Sequence, residues 1–148
     1  MINKPKSRIG WREWISLPDL KVKKIKAKID TGAQTSVLHA SYIHYYKREG
    51  KRFVKFCVHP KQHCSTPETL AHARLIDQRW VKSSLGTKTL RPVIETTLVV
   101  GKEKVKIEMT LINRDVMGFR MLLGRQALRE RFLIDPSRSY MTKPKKKS

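Results

Sequence analysis

Between Lys24 and Ile29 apolar and basic residues alternate without a break, Ile25, Ala27 and Ile29 against Lys24, Lys26 and Lys28. A period of two puts one set on a buried face and the other in solvent, the pattern of a half-buried strand. That strand runs directly into Asp30-Thr31-Gly32, where a carboxylate, a hydroxyl and a residue without Cβ follow one another. Threonine bonds to nearby backbone, and glycine permits a tight turn and the close approach of another segment. An acid held this way at a strand end can be catalytic. The same three residues also suit an Asx-type turn between two strands.

The rest of the chain repeats the strand signal in short, turn-punctuated runs. Ile9 to Leu17 alternates but shifts phase between Trp11 and Trp14, as one strand with a bulge would. Pro18-Asp19-Leu20-Lys21 is a turn, so the strand ending at Asp30 completes a hairpin. Ser36 to Lys47 mixes apolar and polar residues and reads as a strand fading into a short helix or loop. Phe53–Val58, Leu70–Lys82, Leu90–Val100 and Val105–Leu111 are strand-like, with Pro92 acceptable only at an edge or bulge. Phe119–Leu123 is short and apolar, Arg125 to Arg131 suits one short helix, and Phe132–Ile134 precedes the turn Asp135-Pro136 and a last strand near Tyr140. Many short strands and one short C-terminal helix give an all-β fold, barrel-like or sandwich-like.

The 148 residues suit one domain over 8–141, with a basic arm at 1–7 and a basic tail at 142–148. A hydrophobic content of 39% is enough for a folded core. No apolar run approaches the roughly 20 residues of a membrane-spanning helix. The first residues carry no apolar stretch of the secretory kind, so the expected location is cytoplasmic. The formal charge of +21 is extreme for this length and attracts polyanions such as nucleic acid, a ribosomal surface or an acidic peptide.

Two distant signatures carry a resemblance. Ile29-Asp30-Thr31-Gly32-Ala33, together with Met121-Leu122-Leu123-Gly124-Arg125 and its helical continuation, resembles a retropepsin-type aspartic peptidase. Gly10-Trp11-Arg12-Glu13-Trp14, Lys26 to His39, Gly118 to Arg125 and Leu133 to Tyr140 extend the likeness over nearly the whole chain. They resemble a bacterial retropepsin-like group that includes the RimB proteins, associated with RimK-type glutamate ligases and often labelled ATP-dependent zinc proteases. The chain has neither a Gly-x4-Gly-Lys-Ser/Thr loop nor His-Glu-x2-His, so that label does not suit it.

The resemblance implies a closed retropepsin-like barrel. Asp30, Thr31 and Gly32 would form the catalytic loop, Ala33, Leu123, Gly124 and Arg125 would brace it, and Ser83, Ser84, Leu85 and Gly86 would tip a flap. Such enzymes need two carboxylates sharing a proton. The chain has one Asp-Thr-Gly, so the second acid would be Asp30 of another copy, and homodimerisation becomes a chemical requirement. Gln34 and Thr35 stand where viral relatives carry acids, which favours an acidic substrate. Glutamate-rich peptide, such as an oligoglutamate tail on a ribosomal protein, is the expected target. A ribosomal protein or a glutamate ligase is the expected associate, and no membrane is expected as a partner.

Other readings rest on other residues. Cys57, His59, His63 and Cys64 lie within eight residues, but Cys-x-His-x3-His-Cys is not a familiar zinc-finger spacing. Free thiols and loop histidines are expected there, with no metal and no cofactor. The non-enzymatic alternative is a basic β-domain that binds RNA or the ribosome, with Tyr42, Tyr45 and Tyr46 stacking on bases.

Overall fold

The structure is a computed structural model that describes residues 5–59, 69–82, 85–113 and 118–142. Among them the chain forms β1 (Ser7–Gly10), β2 (Arg12–Leu17), β3 (Val22–Ile29), β4 (Ser36–Arg48) and β5 (Lys51–Val58). There follow β6 (Thr69–Lys82), β7 (Lys88–Val100), β8 (Glu103–Ile112), β9 (Met121–Leu123), α1 (Arg125–Leu128) and β10 (Phe132–Asp135). The all-β reading holds, with one short helix after β9.

Eight strands run in the order β2-β3-β9-β4-β5-β6-β7-β8, and further pairings of β2 with β7 and β4 with β8 fold the sheet back on itself. Its enclosed face carries the apolar phase of each strand. Ile15 and Leu17 from β2, Ile25 and Ala27 from β3, Phe56 from β5, Leu98 from β7 and Met109 from β8 are all buried there. Full burial of such side chains contributes about 1.5–3 kcal/mol each relative to exposure, and this apolar interior fixes the register of the strands around it.

The phase shift near Trp11 has a different cause from a simple bulge. Ser7–Gly10 pairs in parallel with β10, whereas Arg12–Leu17 pairs antiparallel with β3, so the chain changes sheet at Trp11. A register shift does occur later, between Ile15 and Leu17. Pro92 fits its expectation. It faces Gln78 on β6, while the β8 ladder starts only at Val93, and the β6–β7 register slips beside it between Leu75 and Asp77.

Three further expectations are corrected. Ser36 to Arg48 is one continuous 13-residue strand, without the short helix or loop expected from Ser36 to Lys47. A register shift between Ser41 and His44, with Tyr42 at φ 52°, breaks its periodicity just where the strand leaves the core. The helix stops at Leu128 rather than Arg131, because the chain turns through Glu130 at φ 68° to bring buried Phe132 alongside β1. Among the described residues no strand forms near Tyr140. That segment lies against Trp11 and the start of β2, and its backbone is joined there by two separate bonds, Trp11 N to Arg138 O at 2.9 Å and Tyr140 N to Arg12 O at 2.9 Å.

Candidate active site: the Asp30 loop

Strand β9 is only three residues long, yet it organises the site. It pairs in parallel with β3, Ile29 opposite Leu123, and antiparallel with β4, Val37 opposite Leu122. Residues 30–35 therefore form a loop whose entering and leaving strands are both stitched to one central strand. Met121, Leu122 and Leu123 are buried and apolar on every side, as a strand enclosed on both faces requires.

Gly124 and α1 then close under the loop. The Asp30 amide donates to the Leu123 carbonyl at 2.9 Å, the Arg125 amide to the Ala33 carbonyl at 2.7 Å, and the Gln126 amide to the Gln34 carbonyl at 2.9 Å. The last two are helix-start amides that have no partner within the helix, so the loop carbonyls satisfy them. The Arg125 guanidinium donates to the Thr31 carbonyl at 2.9 Å. A Cβ on Gly124 would stand 2.8 Å from the Thr35 carbonyl carbon and 2.9 Å from the carbonyl oxygens of Ala33 and Gln34, so only glycine permits this approach.

Within the loop the Ala33 amide donates to the Asp30 carbonyl at 3.2 Å, and the Gly32 amide to Asp30 Oδ1 at 3.0 Å. The Asp30 side chain is thereby oriented by backbone while remaining partly open, and Thr31 and Gly32 are exposed. A carboxylate fixed at one oxygen and reachable at the other can move a proton to or from a water.

The expected site residues thus divide clearly. Asp30, Thr31, Gly32 and Ala33 are brought together with Leu123, Gly124 and Arg125. Of the flap, Ser83 and Ser84 lie outside the described residues. Leu85 and Gly86 occupy the end of the β6–β7 hairpin, with Leu85 90% exposed and Gly86 at φ 87°. The root of that hairpin is tied to the loop's support. Arg79 on β6 donates to Asp77 Oδ2 and to Glu108 Oε1, both at 2.9 Å, and the Glu108 amide donates to Gln126 Oε1 at 3.2 Å. The Arg79 guanidinium and the Gln78 amide hold the Asp77 carboxyl below its ordinary value, and the Asp77 and Glu108 carboxylates raise Arg79.

Two residues escaped sequence reasoning. Ser36 is fully buried, and its Oγ accepts from the Gly124 amide at 3.1 Å, completing the brace from the β4 side. Glu13 is also fully buried and accepts from the amides of Gly10, Met141 and Thr142 and from the Thr142 hydroxyl at 2.6–3.0 Å. The available signal was phase, since Glu13 alternates with Ile15 and Leu17 on the core side of β2.

At the suggested metal ligands, Cys57 is half-buried opposite Ser41. His59 is buried, with Nε2 hydrogen-bonded to Ser41 Oγ at 2.6 Å and its ring edge-on to His39. His63 and Cys64 lie outside the described residues. Among the described residues no three His, Cys, Asp or Glu side chains converge as metal ligands. No helix among them is long and apolar enough to cross a membrane.

The chain is 45% identical over 132 residues to a protein of Desulfotalea psychrophila and 43% identical to one of Shewanella pealeana, both named probable alpha-L-glutamate ligase. The matches cover 89% of this chain but only 28% and 29% of those proteins, so the chain spans less than a third of the length of these curated relatives. A crystal structure of a Legionella pneumophila protein of unknown function superposes with a TM-score of 0.77 at 26% identity, covering 94% of this chain and 100% of that one. A family profile described as retropepsin-like aspartic endopeptidase RimB matches residues 8–145. The chain belongs to the RimB-like family of retropepsin-like aspartic endopeptidases.

Proposed function

We propose that this protein is an aspartic endopeptidase whose catalytic dyad consists of Asp30 from each of two copies, and that it cuts acidic, glutamate-rich peptide. The observation that carries this reading is the Asp30 loop, suspended between β3 and β9 and held from beneath by Gly124, Arg125 and Gln126. That much support around one partly open carboxylate is not needed by an ordinary Asx turn.

Two Asp30 carboxyls brought together across a two-fold axis cannot both ionise easily and share one proton. The ionised member takes a proton from a water as that water attacks the scissile carbonyl carbon. The protonated member gives its proton to the carbonyl oxygen. Collapse of the resulting gem-diol breaks the C–N bond, and the leaving nitrogen receives a proton from the dyad, so one water is added across the amide. Thr31 would bond across the axis to hold the two loops, and exposed Gly32 leaves room for their approach. The Leu85–Gly86 turn would close over bound peptide as a flap.

The substrate class rests on charge and on relatives. The chain carries +21, and the residues following Ala33 are Gln34 and Thr35 rather than acids. The curated relatives are named for glutamate ligation, which makes a peptide built by such a ligase a chemically fitting target. An oligoglutamate tail on a ribosomal protein is one such peptide, and a separate glutamate ligase is the corresponding partner. A cytoplasmic location accords with both.

The test is to incubate wild type and Asp30→Asn with peptides ending in glutamate runs or in neutral runs, from acid to neutral pH, and to identify products by mass. Cleavage of the glutamate series is expected from wild type, with a loss of at least about 100-fold in Asp30→Asn, as for removal of an acid–base group. Cleavage that survives in Asp30→Asn would refute the dyad. Equal rates on neutral peptides would refute the substrate class.

A further inference from the structure

The sheet face formed by β4, β5 and β6 is chemically distinct from the Asp30 site. Asp77 is the sole acid in these three strands, and it is engaged by Arg79. The ladder places Tyr46 opposite Phe53 and Phe53 opposite Arg74, while Lys55 lies between His44 and His72. Residues two apart share a face of a strand, so these groups project from one side. Val54, Phe56 and Ala71 lie on the other levels of the ladders or on the opposite side, buried in the core.

At the centre of the outward face the rings of Tyr46 and Phe53 stack at 5.5 Å and 17°. The Tyr46 hydroxyl lies 3.0 Å from His72 Nδ1, which fixes the pair. Around them Lys55 and Arg74 are exposed, and Arg48 and Lys51 extend the positive rim to the hairpin turn.

We infer that this face binds single-stranded nucleic acid. Tyr46 and Phe53 are half-buried and each covers one face of the other, so the stacked pair offers its outer faces to unstacked bases, and cations at the rim meet the phosphates that flank them. Neighbouring strands are about 4.8 Å apart, which puts Lys55 and Arg74 within side-chain reach of phosphates on either side of a base over Phe53. The charge of +21 adds a long-range attraction for any polyanion. The aromatic centre distinguishes among polyanions. A glutamate-rich peptide could use the lysines and arginines, but it has no aromatic face to stack on the rings. The face is also remote from the peptidase loop. Strand β4 starts at Ser36, beside Gly124, and Tyr46 lies in its far half, beyond the register shift between Ser41 and His44.

The test uses the full chain, a labelled oligouridylate of about 12 nucleotides and a labelled oligoglutamate of equal length, with binding followed by fluorescence anisotropy over a range of salt. Phe53→Leu keeps apolar volume and removes the ring, while Lys55→Ala/Arg74→Ala removes two rim cations. Wild type is expected to bind the oligouridylate. Phe53→Leu should weaken that binding by at least about fivefold. The double variant should weaken it and lower the salt slope by about 1.4, at roughly 0.7 per phosphate contact. Unchanged melting temperatures in both variants exclude unfolding as the cause. The inference is overturned if wild type does not bind the oligouridylate, or if neither variant alters its affinity. It is equally overturned if the double variant loses oligoglutamate binding while Phe53→Leu changes nothing, which would assign the face to acidic peptide. Asp30→Asn should bind RNA as wild type does, whatever its effect on hydrolysis.

Discussion

At the scale of single residues, Glu13 shows how much one buried charge can organise. Its carboxylate takes four hydrogen bonds, one from Gly10 and three from Met141 and Thr142, and so ties the C-terminal segment across the start of β2. Around this tie Trp14 stacks on Tyr140 at 5.7 Å, and the Arg12 guanidinium lies 5.0 Å from the Tyr140 ring centre. Gly10 belongs to the same packing, since a Cβ there would collide with the Arg138 carbonyl oxygen. Hydrogen bonds to an ionised, buried acceptor are worth more than neutral ones. Glu13→Gln, which removes the charge and turns an NH2 group toward backbone donors, is expected to cost about 2–3 kcal/mol in urea unfolding. A change within experimental error would mean that the segment is held by its aromatic contacts alone.

At the scale of elements, the brace under Asp30 is the most constrained part of the fold. Gly124→Ala would push a methyl group against three backbone atoms, none of which can rotate away. The expected cost is about 1–3 kcal/mol, read as a lowered melting temperature, together with a loss of peptide hydrolysis greater than the change in stability explains. The root of the β6–β7 hairpin responds to acid. Because Arg79 and the Gln78 amide depress the Asp77 pKa below 3.8, the stabilisation linked to ionised Asp77 is fully present above 3.8 and disappears as pH falls through the lower folded value. The melting-temperature difference between wild type and Asp77→Asn should therefore be present at neutral pH and vanish in strong acid, and a difference independent of pH would contradict the linkage. Runs with unbroken periodicity, such as Lys24 to Ile29 in β3 and Val105 to Leu111 in β8, were legible in the sequence, and the resemblance supplied the bracing of the Asp30 loop by Leu123, Gly124 and Arg125. Strand β4 was not, because a bulge at Ser41–His44 scrambles its alternation while its far half has no core to face. The β1–β2 break was hidden for a related reason: two strands that belong to different sheets are contiguous in sequence. Ser36 and Glu13 carry no local signal of their partners, which lie 88 and 128 residues away in Gly124 and Met141.

For the whole molecule, the proposed dyad makes one chain half of an active site. Each copy contains a single Asp-Thr-Gly, and its loop is supported from below while Thr31 and Gly32 face outward, as an approach by a second loop requires. The most direct measurement is the hydrolysis of a glutamate-rich peptide by wild type mixed with increasing Asp30→Asn at constant total protein, after equilibration. If both carboxylates come from Asp30, activity should follow the square of the wild-type fraction and fall to roughly one quarter in an equal mixture. A linear fall, to roughly one half, would mean that each chain works with its own acids and would contradict the shared dyad.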